Sequence, residues 1–342
     1  MKIPAAIYEK FIRPALFSMD PESVHELAMG LLAGVSRSGP LLKLISARHD
    51  PRLERTVFGL KFPNPVGLAA GFDKNAVALP AWQAMGFGFI EAGTVTARGQ
   101  PGNVRPRIFR LPEYKSLINR LGFNNEGADA VAQRLALLKK SGHWPTIPVG
   151  INLGKSKVTP LEEATADYLL SFTRLQHFGD YFVLNVSSPN TPNLRKLQDK
   201  AALDELFGHM QRRNTENKPL LVKIAPDLEW EAIEEILALV QEHQIAGIIA
   251  TNTTIDHSTV PAALDQQGGL SGALLRARST EILRFITART KTPVIAVGGI
   301  MDADSAMEKF DAGAALVQLY TGYVYRGPAL ISEICDRLLA RK

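Results

Sequence analysis

Past residue 60 the chain repeats one arrangement: a short, nearly all-apolar run bounded by Gly, Pro or Asn, then a longer stretch with apolar residues three and four apart. The apolar runs fall at 66–71, 87–96, 149–154, 181–187, 220–225, 247–254, 294–299 and 315–321. Runs of this length without strict alternation fit strands buried on both faces, as in parallel sheets. The segments 162–178, 203–213, 230–243, 274–289 and 302–311 carry helical spacing, and 330–339 closes the series. Eight strand–helix units in this order predict an α/β fold of the closed (β/α)8, or TIM-barrel, type. An open doubly wound sheet would call for a GxGxxG turn after its first strand. Gly86-Phe87-Gly88 precedes a strand instead and lacks the third glycine.

The first 45 residues follow another rule. Val24, Leu27, Ala28, Leu31, Leu32 and Val35 make a helical apolar stripe, and Asp20-Pro21 supplies an N-cap with Pro at the first helical position. Ile7, Phe11 and Ile12 form a shorter apolar face before Pro14. Two amphipathic helices are therefore expected ahead of the barrel, dividing the chain into residues 1–45 and 46–342. Such helices either pack as a lid or lie on a membrane, and the two are compatible if different faces are used. One long insertion, 97–125, interrupts a strand–helix unit and carries Arg98, Arg105, Arg107, Arg110 and Arg120 among several prolines. A long loop at a strand's C-terminal end is where barrels build sites, although its arginines could also form a solvated basic face.

Composition narrows the class only a little. With 46% hydrophobic and 21% charged residues the chain is an ordinary folded protein. Its single cysteine, Cys335, excludes a disulfide framework, and no metal ligand set is expected. The net charge of +5 suits anionic small molecules, lipid or nucleic acid without choosing among them. No apolar run is long enough to cross a bilayer, and the N-terminus reads as neither a secretory signal nor a transit peptide, so an intracellular protein is expected.

The chemistry gathers at the strand ends. Strand 1 delivers Ala70, Gly71 and Lys74, strand 2 Thr94, strand 3 Asn152, and strand 4 Asn185 followed by Ser188, Asn190 and Thr191. Strand 5 delivers Lys223, strand 6 Thr251, Asn252 and Thr253, strand 7 Gly298-Gly299, and strand 8 Tyr320, Thr321 and Gly322. Any one Asn or Lys in such a loop is ordinarily a cap or a turn residue. Amides, hydroxyls and two lysines converging on one rim favour a polar small-molecule site. The glycines after strand 7, with Thr321 and Gly322, match the usual barrel phosphate site, which suits a sugar phosphate or FMN.

Five ordered strings then carry a resemblance: AAGFDK at 69–74, INRLGFN at 118–124, NVSSPNTP at 185–192, VKIAPD at 222–227 and GGLSG at 268–272. Together they resemble the dihydroorotate dehydrogenase family, over a match running from about residue 8 to the C-terminus. Ser188 stands where the soluble class 1 enzymes carry Cys, so the chain resembles class 2, the quinone-dependent branch. The N-terminal extension points the same way.

The resemblance implies an FMN enzyme oxidising dihydroorotate to orotate in pyrimidine biosynthesis. Ser188 would be the base for the C5 proton while C6 passes a hydride to flavin N5. Thr191 would be its relay partner, with Phe123 excluding solvent. Asn119, Arg120, Leu121, Gly122, Phe123, Asn185, Asn190, Asn252 and Thr253 would surround the substrate, each amide offering a donor and an acceptor to the ring edges. Lys74 would meet the substrate carboxylate and the flavin, and Lys223 the flavin edge. Ala70, Gly71, Thr94, Asn152, Thr251, Gly272, Gly299, Tyr320 and Thr321 would hold FMN. His25, Arg110 and Tyr320 would line a quinone tunnel, with the extension at the membrane surface. By the same resemblance the protein would sit peripherally on the cytoplasmic face of a bacterial inner membrane and bind no nucleic acid. The alternatives are a soluble class 1-like enzyme, another FMN barrel such as a tRNA-reducing synthase, and a cofactor-free sugar-phosphate isomerase.

Overall fold

The structure is a computed structural model that describes residues 5–46 and 50–341. Eight parallel strands close a barrel in chain order: β1 (Val66–Leu68), β2 (Phe89–Val95), β3 (Val149–Leu153), β4 (Tyr181–Asn185), β5 (Leu220–Ile224), β6 (Gly247–Ala250), β7 (Val294–Val297) and β8 (Leu316–Leu319). Closure is made by β8 on β1, with Val317 opposite Val66 and Leu319 opposite Leu68. Every residue of these strands is buried, which is why the sequence shows runs rather than alternation. Small residues admit large neighbours inside the barrel: a Cβ on Gly150 would lie 2.0 Å from the Tyr181 ring. The expected helices surround this core, among them Lys200–Arg213, Trp230–Glu242, Arg276–Thr287, Ala303–Asp311 and Ala329–Leu339.

Three short features escape the hydrophobic pattern. A hairpin of Arg55–Val57 and Leu60–Phe62 precedes β1, and Phe62 packs edge-on to Phe89 at 5.2 Å. The 97–125 insertion contains an antiparallel pair, Ile108–Leu111 and Ser116–Asn119. Gly269–Gly272, from the loop after β6, joins it as a third strand, with Gly269 opposite Asn119. This small sheet joins the β2 loop to the β6 loop.

The extension has one helix more than expected. The first runs from Ala5 through Pro14 to Phe17, with a wider turn at Tyr8–Ile12 where the Arg13 N–H bonds back to the Tyr8 carbonyl. That widening lets the helix continue into a proline, which carries no N–H. The second helix, Pro21–Ser36, is capped by Asp20, whose carboxylate accepts the Ser23 N–H at 2.8 Å. A third, Gly39–Ile45, follows. The expected stripe divides. Leu32 packs against the core beside the buried Met29, worth about 1.5–3 kcal/mol for full burial of Met29, while Leu27 and Leu31 are exposed.

The extension is fastened to the barrel by polar links. Tyr8 donates to the Val324 carbonyl at 2.8 Å, Arg13 to the Tyr325 carbonyl at 3.0 Å, and Arg326 pairs with Glu9 at 2.9 Å. Glu22, buried, accepts Nε of Arg107 at 3.0 Å on both oxygens and Nη2 at 2.6 Å. Arg107 comes from the insertion, so this buried ion pair ties the second helix to the barrel rim.

Candidate active site

A cleft of about 970 Å³ opens at the C-terminal end of the barrel strands. Its lining brings together Ala70, Gly71, Lys74, Thr94, Asn119 and Leu121 with Gly122, Phe123, Asn185, Ser188 and Asn190. Lys223, Thr251, Asn252, Thr253, Gly272, Gly299, Tyr320 and Thr321 complete the expected set on this surface. Residues as far apart as Ala70 and Thr321 thus share one concavity, because a barrel delivers every strand end to the same face.

The floor is a hydrogen-bonded polar layer. Thr94 Oγ1 donates to Asn152 Oδ1 at 2.5 Å, and Asn185 Nδ2 reaches both Thr94 Oγ1 (3.0 Å) and Asn152 Oδ1 (3.1 Å). Asn152 Nδ2 donates to the fully buried Glu91 at 2.7 Å, and Gln318 bonds the other Glu91 oxygen. Asn152 therefore lies beneath the cleft surface and fixes the residues that form it. Lys223 rises from β5 beside this layer. Burial pushes its ammonium below the usual lysine range, and Glu91 opposes that shift.

Lys74 is set by the turn that carries it. The buried Asp73 carboxylate accepts the N–H groups of Val77 (2.8 Å) and Ala78 (2.9 Å) and the Trp82 indole (3.2 Å). Burial lowers the Lys74 ammonium to about 8, against the opposing pull of Glu22. Among the described residues neither Lys74 nor Lys223 has a hydrogen-bond or ion-pair partner, although both face the cleft. Buried ammonium groups without protein acceptors mark places for an anionic or acceptor-rich ligand.

The β4 loop is braced from three sides. Ser188 Oγ accepts the Asn190 N–H at 3.3 Å, and Asn190 Nδ2 donates to the Asn119 carbonyl and Oδ1 at 3.1 and 3.2 Å. Asn252 Nδ2 bonds Asn185 Oδ1 at 3.2 Å and Ser187 Oγ at 2.9 Å. Arg195 donates to the Ser187 and Thr253 carbonyls, both at 3.1 Å, and pairs with Asp227 at 2.7 Å. Thr191 is outside the lining, and its Oγ1 is buried without a hydrogen-bond partner among the described residues. Phe123 holds a left-handed backbone (φ 56°), its carbonyl fixed by Asn125 Nδ2 at 2.7 Å.

Arg120, expected near the substrate, turns elsewhere. Its guanidinium donates to the Pro106 carbonyl at 3.0 and 3.2 Å and lies 4.8 Å from the centre of the Phe109 ring. His25 and Arg110 also lie outside the cleft. His25 meets Phe72 at 5.4 Å, and Phe72 meets Tyr320 at 5.1 Å, an aromatic file from the second helix to the cleft wall. Burial and the nearby Lys74 charge lower His25 to about 3, so it is neutral at physiological pH. Arg110 donates to the Phe17 and Met19 carbonyls at 3.1 and 2.8 Å.

Ser271 joins the cleft, with its Oγ 2.9 Å from Thr321 Oγ1. Neither Ser271, Glu91, Gln318 nor Arg195 was expected. A lone Glu inside the apolar run of β2 and a lone Gln inside β8 were the signals available for two of them.

Fold and rim define a barrel enzyme for an anionic, polar, hydrogen-bonding small molecule. Residues 52–341 match the sequence profile of the dihydroorotate dehydrogenase family. A protein of Gloeobacter violaceus named dihydroorotate dehydrogenase (quinone) is 54% identical over 336 residues, 97% of this chain and 94% of that one. One of the same name from Salinispora arenicola is 52% identical over 95% of this chain and 97% of its own. Among solved structures, dihydroorotate dehydrogenase of Eimeria tenella in complex with ferulenol superposes with a TM-score of 0.84 at 36% identity, over 92% of this chain and 91% of that one. The chain belongs to the dihydroorotate dehydrogenase family, in its quinone-dependent branch, and is an oxidoreductase.

Proposed function

We propose that the protein oxidises dihydroorotate to orotate in pyrimidine biosynthesis with FMN as cofactor and a membrane quinone as terminal acceptor. The observation that carries this reading is the pair of unpartnered ammonium groups, Lys74 and Lys223, on a cleft whose other polar groups are almost all amides and hydroxyls. The residues fit FMN. At the other end of the cleft the Gly299 and Ile300 N–H groups have no acceptor among the described residues, and Ser271 and Thr321 place hydroxyls nearby. That donor set suits a phosphate. Ala70, Gly71, Thr94, Thr251, Gly272 and Tyr320 would line the remainder, above Asn152 and Asn185.

FMN, when bound, supplies the two-electron acceptor for oxidation of the substrate's C5–C6 bond. The protein's own part is positioning and proton transfer. Lys74 neutralises the substrate carboxylate, and Asn119, Asn185, Asn190 and Asn252 meet the ring's N–H and C=O edges. Ser188 Oγ takes the C5 proton and releases its own toward Thr191, whose unpartnered Oγ1 has room in its hydrogen bonding for a relay water. Phe123 excludes bulk solvent.

For the acceptor, the aromatic file His25–Phe72–Tyr320 leads from the extension to the cleft, with Arg110 at the junction of the first two helices. Ile7, Phe11, Met19, Leu27, Leu31, Leu41 and Leu44 are all exposed there, more large apolar side chains than the whole remainder of the chain exposes among the described residues. No helix is long and apolar enough to cross a membrane among the described residues. The concentration suits an extension lying on a lipid surface, the cytoplasmic face of a bacterial inner membrane, from which a quinone would enter.

The test is a half-reaction experiment under anaerobic conditions. Dihydroorotate should bleach the flavin absorbance, and a quinone should restore it. A colourless protein, or one reoxidised by fumarate and not by quinone, contradicts the reading.

A further inference from the structure

Behind the phosphate end of the cleft lies a buried cation whose partners are hydroxyls. Lys309, on the helix Ala303–Asp311, is fully buried. Its Nζ donates to Ser279 Oγ at 2.6 Å and Thr280 Oγ1 at 2.7 Å, with the Arg276 carbonyl at 3.4 Å. The adjacent carboxylate, Glu308, pairs instead with Arg276 at 2.6 Å and Arg284 at 3.7 Å. The charges acting on Lys309 itself are thus this one carboxylate and two guanidinium groups, with Asp302 a second anion facing Arg276. A buried ammonium is costly unless a counter-charge answers it, and among the described residues Lys309 has none at ion-pair distance. Burial lowers it to about 7, with Glu308 only partly offsetting the shift.

One hydroxyl separates this charge from the cleft. Ser279 Oγ has one proton and two carbonyls in reach, Gly298 at 2.9 Å and Arg276 at 3.1 Å; the Arg276 carbonyl already accepts from Thr280 Oγ1 at 2.8 Å, and the shorter contact is the one to Gly298. The Gly298–Gly299 peptide is not among the cis bonds. In a planar trans peptide, a carbonyl drawn toward Ser279 turns the following N–H the opposite way. That N–H belongs to Gly299, which lines the cleft and has no acceptor among the described residues. Glycine is required here: Gly299 has φ +73°, and a Cβ would lie 2.2 Å from Arg276 Cα.

We propose that Lys309 is a positioning residue for a bound phosphate group: through Ser279 it fixes the Gly298–Gly299 peptide with its N–H toward the anion, and in its protonated form it supplies positive charge behind it. This rests on the reading that places the FMN phosphate at that end of the cleft. No contact between Lys309 and the phosphate is needed.

The experiment uses the full-length holoenzyme as purified and the same protein exchanged into riboflavin, which lacks the phosphate. Each is diluted, and flavin release is followed by fluorescence recovery. Lys309→Met and Ser279→Ala should each speed FMN release about 10- to 100-fold and change riboflavin release less than about twofold. Equal acceleration of both flavins, or none for FMN, overturns the proposal while leaving the cofactor reading standing. If the unsubstituted chain binds no flavin, the cofactor reading fails. Calorimetric titration with inorganic phosphate then decides, since Lys309→Met must still weaken phosphate binding and unchanged affinity overturns the clamp. Ser279→Ala, which removes one oxygen, serves both assays if Lys309→Met does not fold.

Discussion

Replacing Glu22 with Ala removes the carboxylate that joins the second N-terminal helix to the rim. Arg107, itself buried, then loses all three hydrogen bonds to Glu22 but keeps the Pro101 and Asn103 carbonyls, each at 2.7 Å. Breaking a buried ion pair from one side costs about 3–5 kcal/mol, and the retained carbonyls favour the lower end, about 3 kcal/mol. For a chain of this size each kcal/mol moves the melting temperature by roughly 2 °C, so a fall of about 6 °C is expected. The damage should reach the substrate loop. Asn103, whose carbonyl holds Arg107, donates its side-chain amide to the Asn190 carbonyl at 3.2 Å and the Arg120 carbonyl at 2.9 Å. The KM for dihydroorotate should rise about tenfold through this misplacement. Thermal melting of the holoenzyme and anaerobic stopped-flow bleaching read the two effects. A melting point within about 1 °C of the parent would refute the view that this pair braces helix to rim. Deleting residues 1–45 removes Glu22 as well, so that truncation would not isolate the membrane role from the brace.

Ser188→Ala should retain flavin and slow bleaching by about 10²–10⁴-fold, measured in a stopped-flow instrument; bleaching at the parental rate excludes Ser188 as base. Lys74, at about 8 in the folded chain, lies below its ordinary 10.5. Substrate affinity, read by titration with the carboxylate product, should therefore fall as pH rises through about 8. The unfolded chain holds this proton more tightly, so the group's contribution to stability rises with pH between those two values. Leu27→Ser with Leu31→Ser, both at exposed positions, should leave the melting temperature nearly unchanged and weaken sedimentation with anionic vesicles by about tenfold or more.

Much of this architecture was legible because a barrel strand is buried on both faces and therefore prints an apolar run. The segments that escaped are those whose stability comes from partners distant in sequence. Gly269–Gly272 has almost no side chains to pattern and becomes a strand only against Asn119–Ser116. The 108–119 pair is hidden among Arg and Pro residues that serve the rim. At the site, strand-end position predicted the surface residues well, because topology alone delivers them. It carries no information on orientation: Asn152 donates to Glu91 beneath the cleft surface, and Arg120 turns back to Pro106. Arg107 read as part of a solvated basic face and Arg195 gave no signal, since their partners, Glu22 and Asp227, lie on other elements.

The proposed electron transfer has two stages, from dihydroorotate to a flavin in this cleft and then to quinone. Absorbance near the flavin maximum, followed anaerobically through sequential additions, tests it most directly. Stoichiometric dihydroorotate should bleach the flavin fully, and a short-chain quinone should restore it fully, with no recovery by fumarate or NAD. Absence of bleaching, or recovery with fumarate and not quinone, would contradict it.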